Sequence, residues 1–147
     1  MSSRTMPADP LAGDAPVPPE AWPTHLVNPQ GLRAVYGAEP PPLTAVRLRQ
    51  VTLHEDGPAL TLRLDLPYPA DPPRKWAAQG FDTVQTELAF TGLSALTLYG
   101  FGTEITADVT LTAAGDGVAV HVTAPETTVE AVARTVHLAA LRAYAQE

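Results

Sequence analysis

The side chains of this chain that could carry chemistry are four histidines, three serines and sixteen carboxylates, and there is no cysteine. Two imidazoles share a metal most readily four residues apart on a helix. His25, His54, His121 and His137 are scattered instead, and His54 beside Glu55 and Asp56 reads as a solvated hairpin tip because too few ligands converge there. Ser2, Ser3 and Ser94 stand in no nucleophile-elbow context, so serine hydrolase chemistry lacks its material. Acid–base catalysis needs two carboxyls in one cleft. Asp65 and Asp108 fall on expected strands, where their cross-strand partners are read as Arg47 and His121. Gly100-Phe101-Gly102 precedes a strand rather than a helix and so lacks the fan of amides that cradles phosphate. No catalytic residue, metal site or cofactor is therefore expected.

Charge narrows the partners. Nine basic against sixteen acidic residues leave a net charge of -7, which repels nucleic acid and anionic membranes and favours a basic protein. Arg33, Arg47, Arg49 and Arg63 could suggest a phosphate patch, but three of them share an expected wet face with Asp65, so the reading is a mixed-charge surface. The acidic groups Glu55, Asp56, Asp71, Asp82, Glu104 and Asp116 fall on loops or strand ends, where they could steer a cationic partner. Trp22, Tyr68 and Trp76 adjoin proline-rich loops, where large aromatics serve either as lids over the core or as partner anchors.

The elements that must position these groups follow from periodicity. With 147 residues, 45% of them hydrophobic and 17% charged, the chain suits one globular domain. Residues 1–20 hold five prolines and no apolar period and read as a disordered tail before a single domain over 21–147. No signal-peptide pattern or membrane-length apolar run occurs, which leads to an expectation of a cytoplasmic protein. Asn28-Pro29 reads as a helix start and Gly37 as its stop, giving a short helix over 28–36.

Beyond Pro42 the period becomes two. Leu60, Leu62, Leu64 and Leu66 form one face of a strand. With Glu55-Asp56-Gly57-Pro58 as a four-residue loop, Leu53 meets Leu60 and Val51 meets Leu62. A bulge at Arg49 or Gln50 then restores Leu48 opposite Leu64 and Arg47 opposite Asp65. Val84, Thr86, Leu88 and Phe90 line another strand, and Leu96 with Leu98 marks the next. Residues 105–111 and 118–122 form a second hairpin across Ala113-Ala114-Gly115-Asp116, which sets His121 opposite Asp108. Over 129–145 helical and strand periods compete, and periodicity alone leaves the choice open.

Trp22, Leu26, Asn28-Pro29, Leu32 and Tyr36-Gly37 are followed by Val51, Leu53, Gly57-Pro58, Leu60, Leu62 and Leu66. Then come Trp76, Phe81, Val84-Gln85, Leu88 and Phe90, Leu96, Leu98 and Gly100-Phe101, and finally Ala143-Tyr144. In order and spacing this series resembles the immunity protein 50 family of bacterial polymorphic toxin systems over Trp22 to about Tyr144. Gly100-Phe101 stands where members often carry Gly-Trp, a conservative departure that bears only on a role needing the indole N–H.

The resemblance implies an α+β, mostly β fold: an antiparallel sheet of six to eight strands with one short N-terminal helix, and two short strands over 128–144. It further implies a protein that binds and neutralises a cognate toxin domain and supplies no catalytic residues. The expected toxin contacts are Glu55, Asp56, Asp71, Asp82, Trp76 and Tyr68. A small-ligand-binding or structural β domain is the alternative.

Overall fold

A computed structural model describes residues 22–37 and 40–146. The expected tail over 1–20 lies outside them. Eight antiparallel strands form one sheet: β1 Val46–His54, β2 Ala59–Pro67, β3 Thr83–Thr91, β4 Ala95–Tyr99, β5 Ile105–Ala114, β6 Gly117–Thr123, β7 Thr128–Ala133 and β8 Thr135–Tyr144. Their spatial order is β4-β7-β6-β5-β1-β2-β3-β8. A short helix α1, Gln30–Tyr36, and a single helical turn α2, Arg74–Ala77, complete the fold with a 3-10 turn at Trp22–His25. Residues 128–133 and 135–144 are two strands, as the resemblance implied, although β8 with ten residues is not a short one.

β5 divides the sheet into two halves. Ile105, Thr106 and Ala107 pair with β1, whereas Asp108–Ala114 pair with β6. The chain crosses between halves twice more, at Gly92–Ser94 and at Arg134, and the Arg134 N–H donates to the carbonyls of Thr91 and Gly92, which clasps these two crossings together. The inward rows of both halves enter one apolar cluster: Leu60, Leu62, Leu64, Leu88 and Phe90 from one side, Leu111, Val120, Val122 and Val129 from the other. Each such side chain contributes about 1.5–3 kcal/mol on burial. Trp22 is buried against this cluster, its indole N–H donating to the Pro41 carbonyl at 2.9 Å, so here the aromatic is a core lid.

The first hairpin has the expected register. Leu53 faces Leu60, Val51 faces Leu62, Leu48 faces Leu64 and Arg47 faces Asp65, with the irregularity between Leu48 and Gln50. The ion pair differs from expectation, because Asp65 is engaged by the bulged residue Arg49, Nε to Oδ2 at 2.6 Å, rather than by Arg47. A bulge re-aims the side chain of its extra residue, and here it delivers the guanidinium onto Asp65. Asp65 is also buried rather than wet.

The second hairpin corrects the expected loop. Ala114 pairs with Gly117, leaving a two-residue turn in which Gly115 has φ +59, the positive φ that mirror-image hairpin turns require. The register therefore moves by two residues. Asp108 faces Thr123, and His121 lies between Thr110 and Glu130. A two-residue shift preserves the faces, and Asp108 and His121 are both exposed.

The helix begins at Gln30, with Pro29 at its cap position and no side-chain cap. Asn28 does something else. Its Nδ2–H donates to the Leu138 carbonyl at 3.0 Å and its Oδ1 accepts the Leu138 N–H at 2.8 Å. Leu26 forms a parallel bridge with Val136, and the Val27 N–H donates to the Val136 carbonyl. The N-terminal segment thus covers the outer edge of β8 at Val136–Leu138.

Candidate functional site

The six expected contact residues separate into two groups at opposite ends of β2. Glu55 and Asp56 lie in the exposed turn beyond the His54–Ala59 pair. Tyr68, Asp71, Trp76 and Asp82 belong to the connection beyond the Pro67–Thr83 pair. The nine residues of β2 between them extend roughly 26 Å at ~3.3 Å per residue. Tyr68 and Trp76 meet with ring centroids 6.3 Å apart and pack half-buried against the core. Asp82 Oδ1 accepts from the Gln146 N–H at 3.0 Å and the Thr83 hydroxyl at 2.9 Å. These hydrogen bonds, the Gln146 amide first, hold its carboxyl below the usual aspartate value.

Polar side chains cluster most tightly at Asp65, whose Oδ2 accepts from Arg49 Nε and, at 2.7 Å, from the Tyr144 hydroxyl. Arg49 Nη2 also donates to the Tyr144 oxygen at 3.1 Å. Burial and the Asp65 hydrogen bond push the Tyr144 phenol up, while bonds to Asp65 and Tyr144 raise Arg49 further. The trio ties β1, β2 and β8 together. A depression of about 470 Å³ beside it includes Arg47, Asp65 and Asp82 in its wall; the Asp82 carboxylate is hydrogen-bonded, and Asp65 is engaged through Oδ2 while its buried Oδ1 has no partner. Among the described residues, no group of three or more His, Asp or Glu side chains is placed to hold a metal.

A different surface has the features of a binding face. From Trp76 to Ala133 the chain has no Lys or Arg. The β4-β7-β6-β5 half therefore carries only acids: Glu104, Asp108, Asp116, Glu126 and Glu130, all exposed. Thr110, His121, Glu130 and Thr97 form one row across its outer face. β4 ends the strand order, and all five of its residues are exposed. Among the described residues, four of the six exposed large hydrophobics, Leu96, Leu98, Tyr99 and Phe101, belong to this strand or follow it, the other two being Val27 and Leu53.

The local sequence explains that exposure. Leu96 and Leu98 pair with the buried Ala131 and Val129 and so point to the core side, yet among the described residues no strand lies beyond them. At the far end Gly100 has φ +74, and a Cβ there would overlap the Glu126 carbonyl oxygen. Only glycine allows that approach. At the near end the Pro58 carbonyl accepts the N–H groups of Gly92 and Leu93, which brings the Glu55–Asp56 turn to the start of β4. Sequence reading missed this surface, although the unbroken stretch without cations was visible in it.

A family model described as immunity protein 50 matches residues 28–144. The chain belongs to the immunity protein 50 family. No curated protein and no solved structure matches it. The family match spans all eight strands and α1 and starts six residues after Trp22. Gly100-Phe101, part of the resemblance, coincides with the end of the exposed edge of β4. Among the described residues no helix is long and apolar enough to cross a membrane.

Proposed function

We propose that this immunity protein 50 family member binds a cognate toxin of a polymorphic toxin system and neutralises it in the cytoplasm by stoichiometric occlusion of its active surface, without turnover. The observation that carries the reading is the half-sheet β4-β7-β6-β5, which has an uncovered outer face and only acidic charge. Such a face attracts a basic protein, excludes nucleic acid, and needs no catalytic group to act. Glu55 and Asp56 extend the acidic field to the start of β4, whereas Asp71 lies at the other end of β2.

The test is co-expression with the toxin domain encoded beside this chain's gene. The protein should rescue growth and co-purify with that domain at one to one. Cell death with a demonstrably folded protein and no complex would refute the reading. Raising salt from low to physiological strength should slow association more than it speeds dissociation. Reversing Glu55 with Asp56, or Glu104 with Glu126, should slow association, while Asp71→Lys should leave it nearly unchanged.

A further inference from the structure

Edge strands normally carry a guard against pairing with other chains: a lysine, a proline, a bulge, an inward charge or a covering segment. The two edges of this sheet differ in that respect. β8 is covered at Val136–Leu138 by Leu26–Asn28, down to an asparagine amide that imitates a strand's donor and acceptor. β4 reads Ala-Leu-Thr-Leu-Tyr, with no charge, no proline and an unbroken register against β7. Leu96 and Leu98 remain 39% and 42% exposed although they face the core side, so the apolar layer stops one strand short of being covered.

From these observations we infer that the free edge of β4 receives an extended segment of the toxin as a ninth strand. The inference rests on the toxin-binding reading above. Main-chain hydrogen bonds along Ala95–Tyr99 would supply affinity, and alternate side chains would supply selectivity. On the core side the incoming strand places apolar residues against Leu96 and Leu98. Tyr99 and Phe101, 77% and 53% exposed, serve as aromatic anchors at the end of the strand. Basic residues flanking that segment meet Glu104, Glu126 and Glu130. Glu130 lies directly across from Thr97, and the Glu126 side chain lies against Gly102. A second copy of this chain fits less well as the occupant, since it would bring Glu104, Glu126 and Glu130 a second time, with Arg134 beside Gly92 as the nearby cation to set against them.

The experiment is amide hydrogen exchange on the full chain, free and in one-to-one complex with the toxin domain encoded beside its gene. The Ala95–Tyr99 amides that do not pair with β7 should exchange rapidly in the free chain and become protected at least about tenfold in the complex. Tyr99→Lys combined with Phe101→Lys should weaken binding about 10- to 30-fold. Val27→Lys, on the covered edge, should change it less than about twofold. A one-to-one complex in which these amides keep their free-state exchange overturns the added strand and leaves neutralisation standing. Protection of β4 in the free chain, accompanied by a dimer mass, assigns the edge to a second copy and also overturns it. Failure to form any complex with a folded chain overturns both readings.

Discussion

The β1-β2-β3-β8 half and the β4-β7-β6-β5 half share one core but differ in everything outside it. The first half has strands of nine or ten residues, pairs two of its four strand arginines with carboxylates at Arg49–Asp65 and Arg63–Glu87, and has an edge covered at Val136–Leu138. In the second the strands run from five to ten residues, the outer rows are threonine, alanine, valine and acids with His121 and Tyr99, and among the described residues nothing covers the edge. Charges neutralised within a chain contribute to its own stability. Unpaired charges of one sign on an open face contribute to association instead. On the binding reading proposed above, the first half holds the fold and the second presents the surface.

The sharpest way to break this comparison is to remove matching apolar groups from each half. Phe90→Ala on β3, where the ring is fully buried, should cost about 3–5 kcal/mol in urea denaturation. Leu98→Ala on β4 should cost under about 1 kcal/mol, because much of its side chain is already in water. Comparable losses would mean that β4 is as much a core strand as β3. Gly100→Ala should destabilise by about 1–3 kcal/mol, since alanine meets both a strained φ and the Glu126 carbonyl. Thermal melts would register that loss, and exchange at β4 should rise with it.

Asp65→Ala should cost about 1–2 kcal/mol, by releasing Arg49 and the Tyr144 hydroxyl together. The figure is kept low because Arg49 is partly solvated. Glu130→Ala on the other half should stay within roughly 0.5 kcal/mol. The smallest effect concerns pH. Asp82 has a folded-state pKa below its unfolded one, so its contribution is present above the ordinary aspartate value of ~3.9 and is lost as pH falls through the folded value. Denaturation midpoints taken between pH 6 and pH 2 should fall less steeply for Asp82→Asn than for the parent, and equal slopes would remove Asp82 from the account.

Much of the first half was readable from residue order. The change of parity between Val46-Leu48 and Val51-Leu53 forces an extra residue, and the four-residue loop then determines every pair down to Arg47–Asp65. The partner of Asp65 was not readable, because a bulge rotates side chains in a way that register does not specify. In the second hairpin the faces were correct and the loop was two residues too long, an error that alternation cannot detect. Asn28 looked like a local cap because caps act over three residues, whereas its actual partner is 110 residues away. The bare edge was hidden for a related reason. Alternating leucines identify a strand but not its place in the sheet, and for Leu96 and Leu98 that place decides whether they are covered.

The clasp between Asn28 and Leu138 also sets an order of events during synthesis. Its two ends are separated by 110 residues, so at ~5–20 residues per second the N-terminal segment waits roughly 5–20 s for its counterpart to be made. β8 is the last strand in chain order and the only neighbour of β3 on its outer side. Until it emerges, β3 is itself an open edge, and the nascent chain exposes a second site for strand pairing that β8, clasped at Val136–Leu138, later takes up. On the strand-addition proposal, selective binding through β4 therefore depends on β8 having closed over β3: that pairing, and not the earlier formation of the hairpins, is the step that turns a generally adhesive sheet into a discriminating one.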